Sequence, residues 1–163
     1  MNIALMIIDM QKAYAVGCCK ESMEKAALTI NQTVSLFREK QKPIFWVQDI
    51  NKDEGVIPGV EGYKILDSLL TSPSDTSINK HSMNAFFETQ TAELFREQAI
   101  DTVVVAGFCA DYCISSTYKG ALNEGFTAAL LKGGVAAGKQ QDIDVVELEL
   151  DSIALPFLTQ LLK

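Results

Sequence analysis

Histidine is nearly missing from this chain: His81 is the single one in 163 residues. The four cysteines, at 18, 19, 109 and 113, form no C-x-x-C pair. A zinc site or a thioredoxin-type redox motif is therefore poorly supported, and neither a metal nor another cofactor is expected. No apolar run approaches the roughly 18 residues of a membrane-spanning helix. No Lys/Arg cluster exists either, and 21 acidic against 14 basic residues give a net charge of −7. That balance argues against nucleic acid and anionic membrane as partners, because a phosphate surface needs a basic face. The apolar run Ile3-Ala4-Leu5-Met6-Ile7-Ile8 lacks a basic region ahead of it, so a signal peptide is not expected and the cytosol is the expected compartment. No G-x-G-x-x-G or Walker sequence follows an apolar run, which leaves nucleotide binding without support. Internal repeats and low-complexity tracts are absent, and the length suits a single domain over residues 1–163. With 48% apolar residues such a chain can build a core without disulfide staples.

What is present is an alternation of short apolar runs with longer helical patterns. Ile3–Asp9 reads as a buried strand ending on a carboxylate. Glu21–Lys40 carries a helical stripe at Met23, Ala26, Ala27, Ile30, Val34 and Phe37. After Pro43, Ile44–Val47 forms a second buried strand that ends at Asp49. Residues 50–62, rich in Gly and Pro, read as a loop, and Tyr63–Leu70 as a short helix. Ser77–Lys80 is a third strand, Thr89–Gln98 a helix and Thr102–Ala106 a fourth strand. A helix over Cys113–Asn123 and a fifth strand over Thr127–Leu131 follow. Val145–Leu150 suits either a sixth strand or a helix, and Asp151–Leu162 looks helical despite Pro156. Continuous apolar strands alternating with helices predict an α/β fold: a three-layer α/β/α sandwich around a mostly parallel sheet of five or six strands.

Ligands bind at the carboxyl ends of strands in open parallel sheets. Asp9 ends the first strand and Lys80 the third. Cys113 follows the fourth across the turn Gly107-Phe108-Cys109-Ala110-Asp111-Tyr112. Taken singly, each has an ordinary structural use as a small buried thiol, a turn carboxylate or a surface charge. Their coincidence at matching strand ends points to chemistry. Cys113 is placed as a nucleophile whose pKa a helix N-terminus and the Lys80 cation would lower. Asp9 is placed to take the thiol proton and later return it to a leaving amine. Backbone N–H groups of Cys109 and Cys113 are the candidate oxyanion donors.

Three separated segments then carry a resemblance. Ile7-Ile8-Asp9-Met10-Gln11, Lys80 with Asn84-Ala85-Phe86, and Val104-Val105-Ala106-Gly107-Phe108-Cys109-Ala110-Asp111-Tyr112-Cys113 resemble the isochorismatase-like cysteine hydrolase superfamily, from residue 3 to about residue 131. The resemblance implies a catalytic triad of Asp9, Lys80 and Cys113 and a cis peptide at Phe108–Cys109. It also implies a six-stranded parallel sheet between helices, and a homo-oligomer whose subunits help to close the pocket. Two departures narrow what it implies. Nicotinamidases of the superfamily hold a metal through an Asp-x-His pair after the second strand, where this chain reads Asp49-Ile50-Asn51. After the fifth strand, the family's Asp-containing stretch is replaced by Lys132-Gly133-Gly134.

Retention of Cys113 favours a metal-independent hydrolase cleaving a C–N bond in a small amide, ureido or carbamoyl substrate through a thioester. A non-catalytic binding member of the same fold is the alternative. Tyr14, Phe86 and Phe108 are candidate substrate-binding aromatics; Tyr14 has the loop packing of an ordinary aromatic as its other reading. His81 as base to Cys113, a Cys109–Cys113 disulfide and a lid role for Cys18-Cys19 are weaker possibilities.

Overall fold

A computed structural model describes residues 1–163. Six strands form one parallel sheet: β1 (Ile3–Ile8), β2 (Ile44–Asp49), β3 (Thr76–Lys80), β4 (Thr102–Phe108), β5 (Thr127–Ala136) and β6 (Ser152–Ile153). Their spatial order is β3-β2-β1-β4-β5-β6. Five helices accompany them: α1 (Gly17–Glu39), α2 (Thr91–Glu97), α3 (Ser115–Asn123) and α4 (Gln140–Glu149) lie between strands, and α5 (Leu155–Leu161) follows β6.

The unbroken apolar run of β1 needs cover on both faces, and the core divides accordingly. Ala4, Met6 and Ile8 join one cluster with Phe45, Val47, Val103, Val105 and Phe95 of α2, together with residues of α3 and α4. Ile3, Leu5 and Ile7 join the other with Trp46, Val104, the α1 stripe from Met23 to Phe37, and Leu158 of α5. This is the expected three-layer sandwich, with its sheet buried on both sides. No helix is long and apolar enough to cross a membrane.

The chain leaves β1 toward β2 on one side, and β4 lies on β1's other side. The crevice between the carboxyl ends of β1 and β4 is thus the topological switch point, where such sheets bind ligands. There Ile8 pairs with both Val47 and Gly107. Gly107 sits at φ +119°, and a Cβ on it would run into the backbone of Ile8. Only glycine permits β1 and β4 to stay paired up to the point where both deliver their functional residues.

Several boundaries differ from expectation. α1 begins at Gly17 rather than Glu21, and α2 is trimmed to Thr91–Glu97, with the Thr89 hydroxyl accepting from the Thr91 N–H. Tyr63–Leu70 is not a helix. A 3₁₀ turn covers Glu61–Tyr63; Gln11 then bridges Ile65, the Leu66 N–H donates to the Met10 carbonyl, and a turn over Asp67-Ser68 follows, closed by the Leu69 N–H on the Leu66 carbonyl. Eight residues barely nucleate a helix alone, and this path buries Leu66 and Leu69 against α1's side of the sheet. Cys113 does not open α3 but lies in a wider π turn, Ala110–Ile114, that precedes it.

Toward the C-terminus, β5 continues to Ala136 through Lys132-Gly133-Gly134. Its pairing jumps from Val105–Leu130 to Gly107–Val135, a bulge that Gly133 makes possible at φ +80°. Val145–Leu150 belongs mostly to α4, while Ser152–Ile153 forms a two-residue sixth strand beside Leu130 and Leu131. Residues 151–154 are therefore not helical. Pro156 falls in the first turn of α5, where its missing N–H has no intrahelical partner to lose.

Candidate active site

Asp9, Lys80 and Cys113 meet at the switch point. Asp9 follows β1 at φ +54°, a left-handed conformation that a short polar side chain tolerates. Its N–H donates to the Val47 carbonyl, so the carboxylate is aimed from a fixed backbone. Parallel pairing sets Lys80 beside Asp49 at the ends of β3 and β2. The Lys80 ammonium lies 3.0 Å from Asp9 Oδ2, 3.4 Å from Asp49 Oδ1 and 3.6 Å from Cys113 Sγ, and donates to the Ser82 carbonyl at 3.0 Å. At 1% side-chain exposure this cation is stable only because two carboxylates and a carbonyl surround it.

The electrostatics follow from that burial. Desolvation pushes Asp9 up to about 6, against the pull of Lys80, and Asp49 pushes the same way as burial. Burial alone would lower Lys80, but attraction to Asp9, Cys113 and Asp49 outweighs it and the net shift is upward. Cys113 is also pushed up, by burial and then by Asp9, with Lys80 opposing. The expected lowering of the Cys113 pKa is therefore corrected. The thiol is partly buried next to a carboxylate, and its place inside the π turn removes the helix N-terminus invoked for it. Asp9 Oδ1 is buried without a hydrogen-bond partner among nitrogens and oxygens, and the Cys113 thiol hydrogen-bonds the Asp9 carboxylate alongside Lys80.

The turn after β4 holds Cys109 by its carbonyl, which accepts from the N–H groups of Tyr112 and Ile114. The Phe108–Cys109 peptide is cis, as the resemblance implies. No backbone bond outside the regular elements is donated by the N–H of Cys109 or Cys113. The Cys109 thiol donates to Asp111 Oδ1 at 3.3 Å and is pushed up to about 12 by burial and that carboxylate. Cys109 and Cys113 are both free thiols. His81 is exposed, and the Cys18 thiol donates to the Gly138 carbonyl at the start of the β5–α4 connection.

Of the three aromatics, two are brought to the site. The Tyr14 ring stacks on Phe108 at 6.0 Å and 23°, and its hydroxyl donates to Asp49 Oδ2 at 2.6 Å. Phe86 is not brought there: it is 6% exposed and packs on Phe95 and Phe126 in the core. Its apolar bulk near Lys80 in sequence hid the fact that the chain turns it inward.

Two residues gain roles that sequence reasoning missed. Asp49 bridges Lys80 and Tyr14, and its position at a strand end, like those of Asp9 and Lys80, was the available signal. Gln11, fully buried, accepts from the Asp49 N–H at 2.7 Å and donates to the Asp49 and Tyr63 carbonyls. It locks the β2 terminus from which Asp49 projects. These contacts also answer whether a nicotinamidase-type metal fits. Asp49 is engaged by Lys80 and Tyr14, Asn51 stands at the histidine position, and no group of three His, Cys, Asp or Glu side chains has metal-holding geometry. The residues present do not fit such a metal.

Comparison with known proteins shows the family of the chain. The family model described as Isochorismatase domain matches residues 3–154. The uncharacterised isochorismatase family protein YddQ of Bacillus subtilis (strain 168) is 31% identical over 153 residues, covering 90% of this chain and 84% of the relative. An isochorismatase-like hydrolase from Alkaliphilus metalliredigens has the same fold at 18% identity, with a TM-score of 0.87 and 100% of both chains covered. N-carbamoylsarcosine amidase from Thermoplasma acidophilum matches at 25% identity and a TM-score of 0.76, covering 90% of this chain and 93% of that one. The chain belongs to the isochorismatase family and is a hydrolase of that family.

Proposed function

We infer that this hydrolase cleaves the C–N bond of a small amide, ureido or carbamoyl compound, with Cys113 as nucleophile and without a metal. The convergence of Asp9, Lys80 and Cys113 within one buried network carries the reading. The similarity to an amidase of carbamoyl substrates supports it.

Near neutral pH the raised thiol is protonated, Asp9 is largely ionised and Lys80 is an ammonium. The nucleophile therefore forms as it attacks: Cys113 Sγ bonds to the substrate carbonyl carbon while its proton passes to Asp9. Charge developing on the carbonyl oxygen is held by the N–H groups of Cys109 and Cys113, each donor being typically worth about 3 kcal/mol. Collapse breaks the C–N bond as Asp9 returns the proton to the departing nitrogen, leaving an acyl group on Cys113. Water then adds to that thioester with Asp9 as base, and the carboxyl product and the thiol are released. Lys80 remains charged throughout. It limits how far burial raises Asp9 and offsets negative charge as the thiol proton leaves. Tyr14 and Phe108 offer a stacked aromatic wall to a planar amide.

The test is a panel of small primary amides and ureido acids, read by ammonia release, with wild type and Cys113→Ala side by side. Turnover that vanishes in the folded variant supports the reading. Turnover that survives in the variant contradicts it, and a folded wild type inert on every compound favours the binding protein.

A further inference from the structure

The charged groups around Cys113 are unevenly divided between those a ligand can reach and those it cannot. Lys80 is the positive member of the network, but it is 1% exposed and enclosed by Asp9, Asp49, the Ser82 carbonyl and Cys113. It has no face left for a substrate carboxylate. Asp49, by contrast, is 18% exposed, which makes it the most accessible of the three charged groups Asp9, Lys80 and Asp49. Glu54 acts on the Tyr14 phenol from the neighbouring loop, and Asp111 lies against the Cys109 thiol.

Cations that could balance these carboxylates are engaged elsewhere or lie in solvent. The chain's arginines, Arg38 and Arg96, pair with Asp75 and Glu124. Lys12 is held by Glu61 and Asp67. Lys20, Lys52 and Lys139 are exposed, where solvent and salt screen them. A second observation points the same way: Asp9 Oδ1 is a buried acceptor that no nitrogen or oxygen donor of the chain meets. Apart from the backbone N–H groups assigned to the oxyanion and the enclosed Lys80 ammonium, the charged groups gathered around Cys113 are carboxylates. They suit N–H donors and have nothing to offer an anionic substituent.

We propose that the site selects uncharged or cationic amides against carboxylate-bearing ones, and that Asp49 is the specificity-determining residue that sets this preference. This rests on the reading of Cys113 as the accessible nucleophile. The negative field of Asp49, whose oxygens hold Lys80 and the Tyr14 hydroxyl, favours an N–H or ammonium group of the substrate beside the Tyr14–Phe108 wall, while the scissile carbonyl lies over Cys113. A carboxylate in that place faces Asp49 at close range with no cation to receive it. Across a partly buried separation of several ångströms, one such charge contact changes relative rates by about tenfold.

Two measurements on the full chain test this. Disulfide formation at Cys113 is followed by peptide mass with 2-aminoethyl and 2-sulfonatoethyl methanethiosulfonate, each rate divided by that of N-acetylcysteinamide. Hydrolysis is followed with propanamide, 3-aminopropanamide and succinamate, matched amides that are neutral, cationic and anionic. The cationic reagent is expected to win by about tenfold or more, with succinamate the poorest amide. Asp49→Asn, nearly isosteric, is expected to narrow the reagent ratio at least about threefold, and the exposed Glu54→Gln to narrow it less. Equal or faster reaction of the anionic reagent overturns the proposal, as does a ratio that Asp49→Asn leaves unchanged. A charge ratio as expected with no amide hydrolysed supports the charge selection and counts against the hydrolytic reading alone. A Cys113 that neither reagent labels in the folded protein contradicts both.

Discussion

Replacing Lys80 with methionine removes the buried cation while keeping most of the side-chain volume. Asp9 Oδ2 at 3.0 Å and Asp49 Oδ1 at 3.4 Å then lose their counter-charge in a site where Asp9 is 4% exposed. Breaking a buried pair by removing one partner typically costs 3–5 kcal/mol, or roughly 10 °C in melting temperature for a domain of this size. The loss depends on pH, with a definite sign. Asp9 stands raised from 3.8 to about 6 in the folded wild type. Its protonation thus contributes about 3 kcal/mol of stability that is fully present below 3.8 and lost as pH rises through 6. Without Lys80, which lowers Asp9, that carboxyl moves higher still, so the variant continues to lose stability above the point where the wild type has levelled. The gap between wild type and Lys80→Met should therefore be largest near about pH 8 and smaller by about 2 kcal/mol near about pH 5. Urea titrations at the two pH values measure it directly. A gap of the same size at both would refute the buried Asp9–Lys80 pairing, and so would no destabilisation at all.

Activity should rise through an acid limb near pH 6, because Asp9 must be ionised to accept the thiol proton; Asp49→Asn should move that limb to lower pH, since Asp49 holds Asp9 up, and a pH profile of kcat/KM reads both. Phe86→Ala should cost about 3–5 kcal/mol in denaturant titrations, as for a ring lost from a packed core. Tyr14→Phe should leave stability within about 1.5 kcal/mol but change KM, because the hydroxyl bond to Asp49 is lost while the ring stays on Phe108. Gly107→Ala should abolish native folding or destabilise by more than about 4 kcal/mol, since its Cβ would collide with the Ile8 backbone. Circular dichroism with urea titration separates these outcomes from a tolerated change.

How much was readable in advance depended on whether a signal lay along the chain or across it. The strand runs at Ile3–Ile8, Ile44–Asp49 and Thr102–Phe108 are continuous and apolar, because both faces of a parallel sheet are covered; the first leads to Asp9 and the last to the turn that carries Cys113, while Lys80 ends the more polar β3. Tyr63–Leu70 differs because its apolar spacing serves a bridge and turn beside Met10 and Gln11 as well as it would serve a helix. The β5 bulge depends on pairing with β4 across Gly107 and Val135, which no local pattern encodes. Phe86 shows the same limit at the site: closeness in sequence to Lys80 says nothing about which way the backbone turns its ring. Asp49 and Gln11 gain their roles only once β1, β2 and β3 are laid side by side. The charge state of Cys113 is hidden from the sequence for a related reason. The strand ends point to a nearby cation, but the stronger effects of burial and of Asp9 appear only in three dimensions.

The nucleophilic role of Cys113 is tested most directly by acid-quenching the enzyme during turnover of a hydrolysed amide and weighing the intact protein and its peptides. An acyl adduct is expected on the peptide that carries Cys113. It should be absent in a folded Cys113→Ala variant whose turnover has fallen by about 10⁴-fold or more. An adduct on another residue, or wild-type turnover without Cys113, would contradict it.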